Sequence, residues 1–229
     1  MASSSSSSSS SFAFALLADG RLPTGGHAHS AGVEAAVAEG RIVDELDLES
    51  YARGRLHTAG RTEAALAAAA VLRLDDLGAV DAEAEARITP APLRAASRRL
   101  GRQLVRAASA CWPSAVLAEL TGAFPDGAHQ PVALGAVGAS AGLDELDVAR
   151  LALHHAISTS LQAGVRLLGL DPFTIATLTS RLGEEAEPVA RDAASRALGP
   201  LRDLPATAGP IVDIAAVAHA GRDGTLFAT

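Results

Sequence analysis

Apolar side chains recur every three or four residues along most of this chain, whereas the strict alternation typical of half-buried strands is scarce. The two longest stretches with helical spacing cover residues 91–110 and 144–168. Residues 131–141 are apolar and rich in small side chains, which fits a buried helix or a buried strand, and we favour the helix. The pattern predicts an all-α fold, a single-domain bundle of roughly ten helices.

Breaks in this pattern predict where helices end. An alanine-rich helix over residues 61–77 is expected to break at Gly78. Another predicted helix ends at Leu182, before a separate helix over residues 184–197. After a linker, residues 211–220 form the last apolar helix. The predicted chain is thus a series of helices joined by short connections.

The first residues differ from the rest of the chain. Nine consecutive serines, Ser3 to Ser11, predict a disordered lead-in over residues 1–11, followed by one helical domain over residues 12–229. The apolar segment at residues 12–18 is short and lacks the basic residues that open a signal peptide. No uninterrupted apolar run approaches the ~20 residues that cross a bilayer. We therefore expect a cytoplasmic protein that has no membrane partner.

Composition excludes several classes of chemistry. The chain has no lysine, so it lacks the lysine of a phosphate-binding loop and any Schiff-base lysine. Cys111 is the only cysteine, which excludes an internal disulfide and a cysteine-rich zinc site. A formal net charge of −7 argues against nucleic acid as a partner.

The most informative segment covers residues 22–34 and reads Leu-Pro-Thr-Gly-Gly-His-Ala-His-Ser-Ala-Gly-Val-Glu. Proline and the paired glycines favour a turn that leads into a helix, with Ser30 as a candidate N-cap. His27 and His29 flank the start of that helix, and imidazole nitrogens bind borderline divalent metals. Two ligands rarely hold a metal alone, and spacing identifies no third ligand. Both histidines are therefore weak metal candidates, and a packed turn is the competing interpretation.

Three further features carry alternatives. Residues 138–142 read Gly-Ala-Ser-Ala-Gly and match the serine hydrolase pattern around Ser140, but that pattern requires a preceding strand. We favour small residues at a tight helix contact. His154 and His155 point about 100° apart on a helix and cannot chelate a metal as a pair, so we expect one packed and one exposed. Arg166 ends a long apolar helix, where it either reaches the surface or pairs at an interface.

Five segments, in order along the chain, carry the motifs of one family. In the opening turn, Leu-Pro-Thr-Gly runs into His-Ser-x-Gly-x-Glu. The later segments are Gly-Arg-x-Leu at residues 101–104, x-Pro-Val-x-x-Gly at 130–135, Ala-x-Val-Arg-Leu at 163–167, and a C-terminal segment at 213–219 with Leu226 and Phe227. In these segments the chain resembles the UreF family of urease accessory proteins. It departs from the family at His27, where an aromatic residue is usual, and at Thr225, where arginine is usual.

The resemblance implies a non-enzymatic, all-α homodimer that binds UreD (also called UreH), recruits or regulates the GTPase UreG, and helps deliver nickel to the urease apoprotein. It implies no resident cofactor, with nickel at most in transit, and a C-terminal docking segment over about residues 211–229. The residues that it implies for partner binding are Leu22, Pro23, Thr24, Gly25, His29, Ser30, Glu34, Arg166, Asp213, His219, Leu226 and Phe227. Two alternatives stay open: a nickel carrier that uses His27 and His29, and a serine hydrolase at Ser140.

Overall fold

Helices form the regular structure in the part of the chain that the computed structural model describes, residues 3–24, 26, 29–207, 209–219 and 226–227. They are α1 (Ser3–Ala18), α2 (Val33–Ala38), α3 (Glu45–Arg55), α4 (Arg61–Leu72), α5 (Leu77–Arg87), α6 (Ala91–Cys111), α7 (Ala115–Ala123), α8 (Gln130–Ser140), α9 (Glu145–Leu168), α10 (Pro172–Ala197) and α11 (Pro210–His219). A π-helical turn, Leu56–Gly60, joins α3 to α4, and a 3₁₀ turn, Leu201–Asp203, follows α10. The predicted all-α single domain is confirmed, and α8 is a helix rather than a strand.

The centre of the bundle is helix α4, which packs against α8, α9 and α10. Its residues Ala64 to Ala70 are all buried. Their small side chains let neighbouring helices approach closely. At Gly135 of α8, an added Cβ would overlap the side chain of Ala70. A chain with 3% aromatic residues therefore fills its core by bringing alanine-rich helices close together rather than by inserting large rings.

Helix α9 matches its predicted bounds because both of its ends are capped. The Asp144 side chain accepts a hydrogen bond from the backbone N–H of Asp147 at 2.8 Å, which satisfies a free donor of the first turn. Gly169 ends the helix in the left-handed region, at φ 66°. Arg166 consequently lies in the last turn, where a cation interacts favourably with the helix dipole.

Helix α10 is continuous where two helices were expected. The predicted break after Leu182 is wrong, since the chain stays helical through Gly183 to Ala197. Buried residues continue on both sides of the glycine, including Leu178 and Ala186, and they pack on α4 and α9. That burial outweighs the cost of about 1 kcal/mol for a glycine within a helix.

Helix α5 has no counterpart among the predicted helices, and Gly78 lies inside it rather than at a break. The preceding helix ends at Leu72, and the Asp76 carboxylate begins α5 by accepting from the Ala79 N–H at 3.3 Å. The buried face of α5 contains Asp81 beside apolar residues. This interrupts the apolar stripe that would have predicted the helix.

Helix α1 differs from the expected start of the chain. Its backbone is helical from Ser3, whereas the sequence predicts a disordered lead-in over residues 1–11. The reason lies in its second half, where Ala13 and Leu17 are buried and the helix packs along α9. Once that half is fixed, extending the helix is far easier than nucleating it, and serine is only a moderately poor helix former. No helix in the described ranges is long and apolar enough to cross a bilayer.

A polar cluster with two buried members, Asp81 and His129, joins α5, α6 and the start of α8. The Asp81 carboxylate accepts a hydrogen bond from the His129 backbone N–H at 2.7 Å and pairs with Arg98 at 3.1 Å. Glu85 pairs with Arg98 at 2.7 Å and accepts from His129 Nε2 at 2.8 Å. Burial lowers the pKa of His129, although Glu85 opposes this effect. The neutral imidazole can therefore donate to Glu85 without introducing a buried charge.

Candidate partner-binding site

The opening turn is anchored at the start of α2. Leu22 and Ser30 are buried, and Thr24 and His29 are partly buried. The Ser30 hydroxyl accepts a hydrogen bond from the Glu34 backbone N–H at 3.3 Å. Gly32, rather than Ser30, holds the N-cap position. Ser30 lies two residues before the N-cap, and its hydroxyl therefore supplies a hydrogen-bond acceptor to an N–H group in the first turn of α2.

Two of the predicted turn residues lie outside the described part of the chain, namely Gly25 and His27. Pro23 is exposed. The segment from Leu22 to Thr24 is held by local backbone hydrogen bonds, including one from the Thr24 N–H to the Leu22 carbonyl at 2.6 Å. Local backbone hydrogen bonds thus orient the first described residues of the turn.

A tight corner precedes α2, and α3 holds it in place. Ala31 and Gly32 both have positive φ, at 55° and 89°. The Tyr51 hydroxyl donates to the Ala31 carbonyl at 2.8 Å, and the Arg55 guanidinium lies 3.5 Å from the same oxygen. Gly32 packs against the Tyr51 hydroxyl with no room for a Cβ, and burial raises the pKa of Tyr51. Tyr51 and Arg55 are site residues that sequence reasoning missed.

The C-terminal segment closes onto this corner. Glu34 accepts hydrogen bonds from two successive backbone N–H groups, that of Leu226 at 2.6 Å and that of Phe227 at 3.1 Å. The Phe227 side chain is 4% exposed, and the Arg166 guanidinium carbon lies 5.6 Å from its ring centroid. Leu226 is 61% exposed. We call this arrangement of Glu34, Arg166, Leu226 and Phe227 the clasp. It brings together four predicted site residues.

The remaining predicted site residues lie on α11. Asp213 is partly buried, and burial raises the pKa of its carboxyl group. His219 is the last residue of α11, and its side chain lies outside what the structure describes. Helix α11 packs on α2 and α6 and leaves Ile214 and Val217 exposed. The helix therefore joins the clasp region through its contact with α2.

A cavity of about 650 Å³ lies behind the turn and the clasp. Its lining includes His29, Arg55, Glu63, Asp213 and Phe227. Burial raises the pKa of Glu63, although the guanidinium of Arg55 opposes the shift. The cavity thus combines apolar walls with a few ionisable groups, which is typical of ligand-binding pockets.

His154 and His155 both face the end of α1. Each Nε2–H donates to a backbone carbonyl, that of Ala18 at 3.3 Å and that of Leu17 at 2.8 Å. The expectation of one packed and one exposed histidine is wrong, since both are partly buried. Burial lowers the pKa of His155 to about 4 and also lowers that of His154. Both are therefore neutral at pH 7 and cap the last carbonyls of α1.

The serine hydrolase alternative lacks the geometry that it requires, whereas the nickel-carrier alternative depends on His27, which lies outside the described residues. The Ser140 hydroxyl donates to the Ala136 carbonyl at 2.8 Å and lies 2.9 Å from the Ser114 hydroxyl, and neither group is a general base. A helix, α8, precedes Ser140 in place of the strand that the hydrolase pattern needs. Within the described ranges, no group of three or more metal-ligating side chains surrounds His29 or any other residue.

The described residues thus form a helical protein with a clasped C-terminal segment, and the hydrogen-bond partners of its candidate serine include no general base. A family model described as UreF matches residues 42–183. A urease accessory protein UreF of Mycobacterium marinum is 42% identical over 216 residues, covering 93% of this chain and 96% of the relative. Those of Mycobacterium sp. strain JLS and Mycobacterium tuberculosis H37Rv are 41% and 39% identical, over 93% and 92% of this chain and 96% and 95% of theirs. The chain belongs to the UreF family of urease accessory proteins, and it is not an enzyme.

Proposed function

We propose that this chain binds UreD, recruits or regulates the GTPase UreG, and so supports nickel insertion into the urease apoprotein. Its membership of the UreF family supports a role in urease maturation. The observation that carries the proposal is the clasp, which fixes a C-terminal residue, Leu226, with its apolar side chain in solvent. An exposed leucine on a fixed backbone suits a protein interface, because little freedom is lost when a partner covers it.

The proposed docking surface also includes α11. Ile214 and Val217 are exposed on this helix, and the helix packs on α2, which carries Glu34. Apolar side chains that remain in solvent release water when a partner covers them. We propose UreD as that partner, with about residues 211–229 as the docking segment.

We propose that the chain acts by binding one state of the GTPase UreG more tightly than another. A scaffold changes the activity of a GTPase only by binding one of its states more tightly than the other. We propose that the chain acts as a homodimer in the cytoplasm and holds UreG beside UreD. Nickel is proposed as a cargo in transit rather than a resident ligand. The cavity supports this, because His29, Glu63 and Asp213 line it with nitrogen and oxygen atoms, whereas no three such side chains among the described residues are grouped so as to hold a metal ion.

Deleting residues 226–229 tests the docking segment. We expect the shortened chain to fold, because its bundle core is made by α4, α8, α9 and α10, and to lose capture by tagged UreD. Capture would be measured by co-purification after co-expression with UreD and UreG. The matched control is Phe173→Ala, which removes an 82% exposed aromatic side chain from the start of α10. Equal capture of the shortened and full chains contradicts the proposal.

A further inference from the structure

Both oxygens of the Glu34 carboxylate are used inside the chain. One accepts from the Leu226 N–H at 2.6 Å, and the other accepts from the Phe227 N–H at 3.1 Å. Hydrogen bonds to an ionised acceptor are stronger than neutral ones, and two of them fix the direction of the bound segment. Glu34 therefore grips the backbone of the C-terminal segment rather than presenting its charge to a partner.

The side chains of the two gripped residues have opposite environments. Phe227 is 4% exposed and lies beneath the Arg166 guanidinium, whereas Leu226 is 61% exposed. Backbone hydrogen bonds do not distinguish one residue from the next, so they cannot set the register of the segment alone. The buried ring sets the register, because Phe227 lies under Arg166 while its described neighbour, Leu226, is exposed to solvent.

We propose that Glu34, Arg166 and Phe227 are positioning residues, and that Leu226 is the residue of the clasp that contacts the partner. This inference rests on the proposed function for the identity of the partner, UreD. The clasp remains closed when UreD binds, and it lowers the cost of binding by fixing Leu226 in advance. The resemblance groups all four residues as partner contacts, whereas the geometry separates one contact from three supports.

The clasp is tested first in the isolated chain, by hydrogen–deuterium exchange of the Leu226 and Phe227 amides followed by NMR. Glu34→Gln replaces one acceptor oxygen by an amide that cannot accept, so exchange of these amides should become at least about tenfold faster. Glu119→Gln makes the same chemical change at an exposed position of α7 and should leave both rates unchanged. Unchanged rates in Glu34→Gln overturn the clasp.

Capture by tagged UreD then separates contact from support. Leu226→Ala should lower capture at least about tenfold while both amides stay protected, as expected for the loss of an interface side chain. Phe227→Ala should lower both capture and protection, and Phe227→Leu should restore part of each, because leucine refills the apolar site. Full capture by Leu226→Ala, with its amides protected, overturns the assignment of Leu226.

The experiments distinguish a failure of UreD binding from a failure of the clasp. If the unmodified chain does not bind UreD, the proposed function fails, but amide exchange in Glu34→Gln still decides whether the clasp exists. If UreD binds and Glu34→Gln captures it as well as the unmodified chain does, the function stands and the positioning role of Glu34 is wrong.

Discussion

Two carboxylates in this protein accept hydrogen bonds from backbone N–H groups of distant segments. Asp81 holds the His129 N–H at 2.7 Å in the interior, and Glu34 holds those of Leu226 and Phe227 at the edge. Asp81 is enclosed by a paired guanidinium and a neutral histidine, whereas the clasp leaves Leu226 in solvent. The chemistry is the same, but the interior contact joins buried helices, whereas the edge contact holds the segment that we propose for partner binding.

The largest expected effect breaks the interior contact. Asp81→Ala removes the acceptor of the His129 N–H and one of the two carboxylates that pair with Arg98. We expect the free energy of unfolding to fall by about 2–4 kcal/mol, because a buried donor and a partly buried cation each lose a partner. Glu34→Ala at the edge should cost less than about 1 kcal/mol, since water can replace the lost acceptor. Urea unfolding measures both.

A matched control for the interior variant is Asp203→Ala. Its carboxylate pairs with Arg202 at 3.7 Å, and both side chains are largely exposed. Surface pairs of this kind contribute about 0–1 kcal/mol, so stability should hardly change. If Asp81→Ala and Glu34→Ala destabilise the fold equally, the contrast between the interior and edge contacts is wrong.

Local sequence patterns predict some helices of this protein and miss others. The helices with an unbroken apolar stripe and a capping residue, such as α9 after Asp144, could be predicted from local spacing. Helix α5 could not, because the polar residue Asp81 occupies its buried face and its partners come from α6 and α8. Contacts with other helices, which local sequence does not reveal, therefore determine whether such a helix forms.

The clasp could be predicted only in part. The resemblance named Glu34, Arg166, Leu226 and Phe227, but no spacing rule joins a carboxylate to a backbone N–H that lies 193 residues further along. A backbone donor has no residue type by which to recognise it. Tyr51 was missed for a related reason, since its hydroxyl donates to a backbone carbonyl rather than to a side chain.

A second prediction concerns pH at another backbone contact, that of His155 with α1. Burial lowers the pKa of His155 to about 4, below the ~6.5 of a free imidazole. As pH falls, the His155 side chain therefore binds a proton in the unfolded chain before it does so in the folded chain. Stability from the neutral imidazole is complete above about pH 6.5 and is lost as pH falls toward 4. We expect this group to lower the free energy of unfolding by about 2–3 kcal/mol between pH 7 and 4.5.

His155→Gln checks this effect, because its amide still donates to the Leu17 carbonyl but does not titrate. The acid-induced loss, measured by urea unfolding at both pH values, should shrink in this variant. His57→Gln, at an exposed position, should show the loss of the unmodified chain. An unchanged loss in His155→Gln would assign the acid sensitivity to other groups, such as His129 beside Asp81.

A third prediction, with a smaller expected effect than those at Asp81 and His155, concerns the corner before α2. Gly32→Ala places a methyl group at φ 89°, where an L residue is strained, and 2.5 Å from the Tyr51 hydroxyl oxygen. We expect a loss of about 1–2 kcal/mol in the free energy of unfolding. Gly78→Ala in α5 is the control, because no atom lies within 4 Å and alanine favours helix by up to about 1 kcal/mol.

Combining Gly32→Ala with Tyr51→Phe separates the two costs of that substitution. Removing the hydroxyl relieves the overlap but also removes the hydrogen bond to the Ala31 carbonyl, whereas the positive φ remains. If overlap dominates, the double variant is more stable than the sum of the single changes predicts. If the two changes are additive, backbone strain alone explains why glycine is required at this corner. The corner that precedes Glu34 is then set by its own backbone conformation rather than by its contact with Tyr51 of α3.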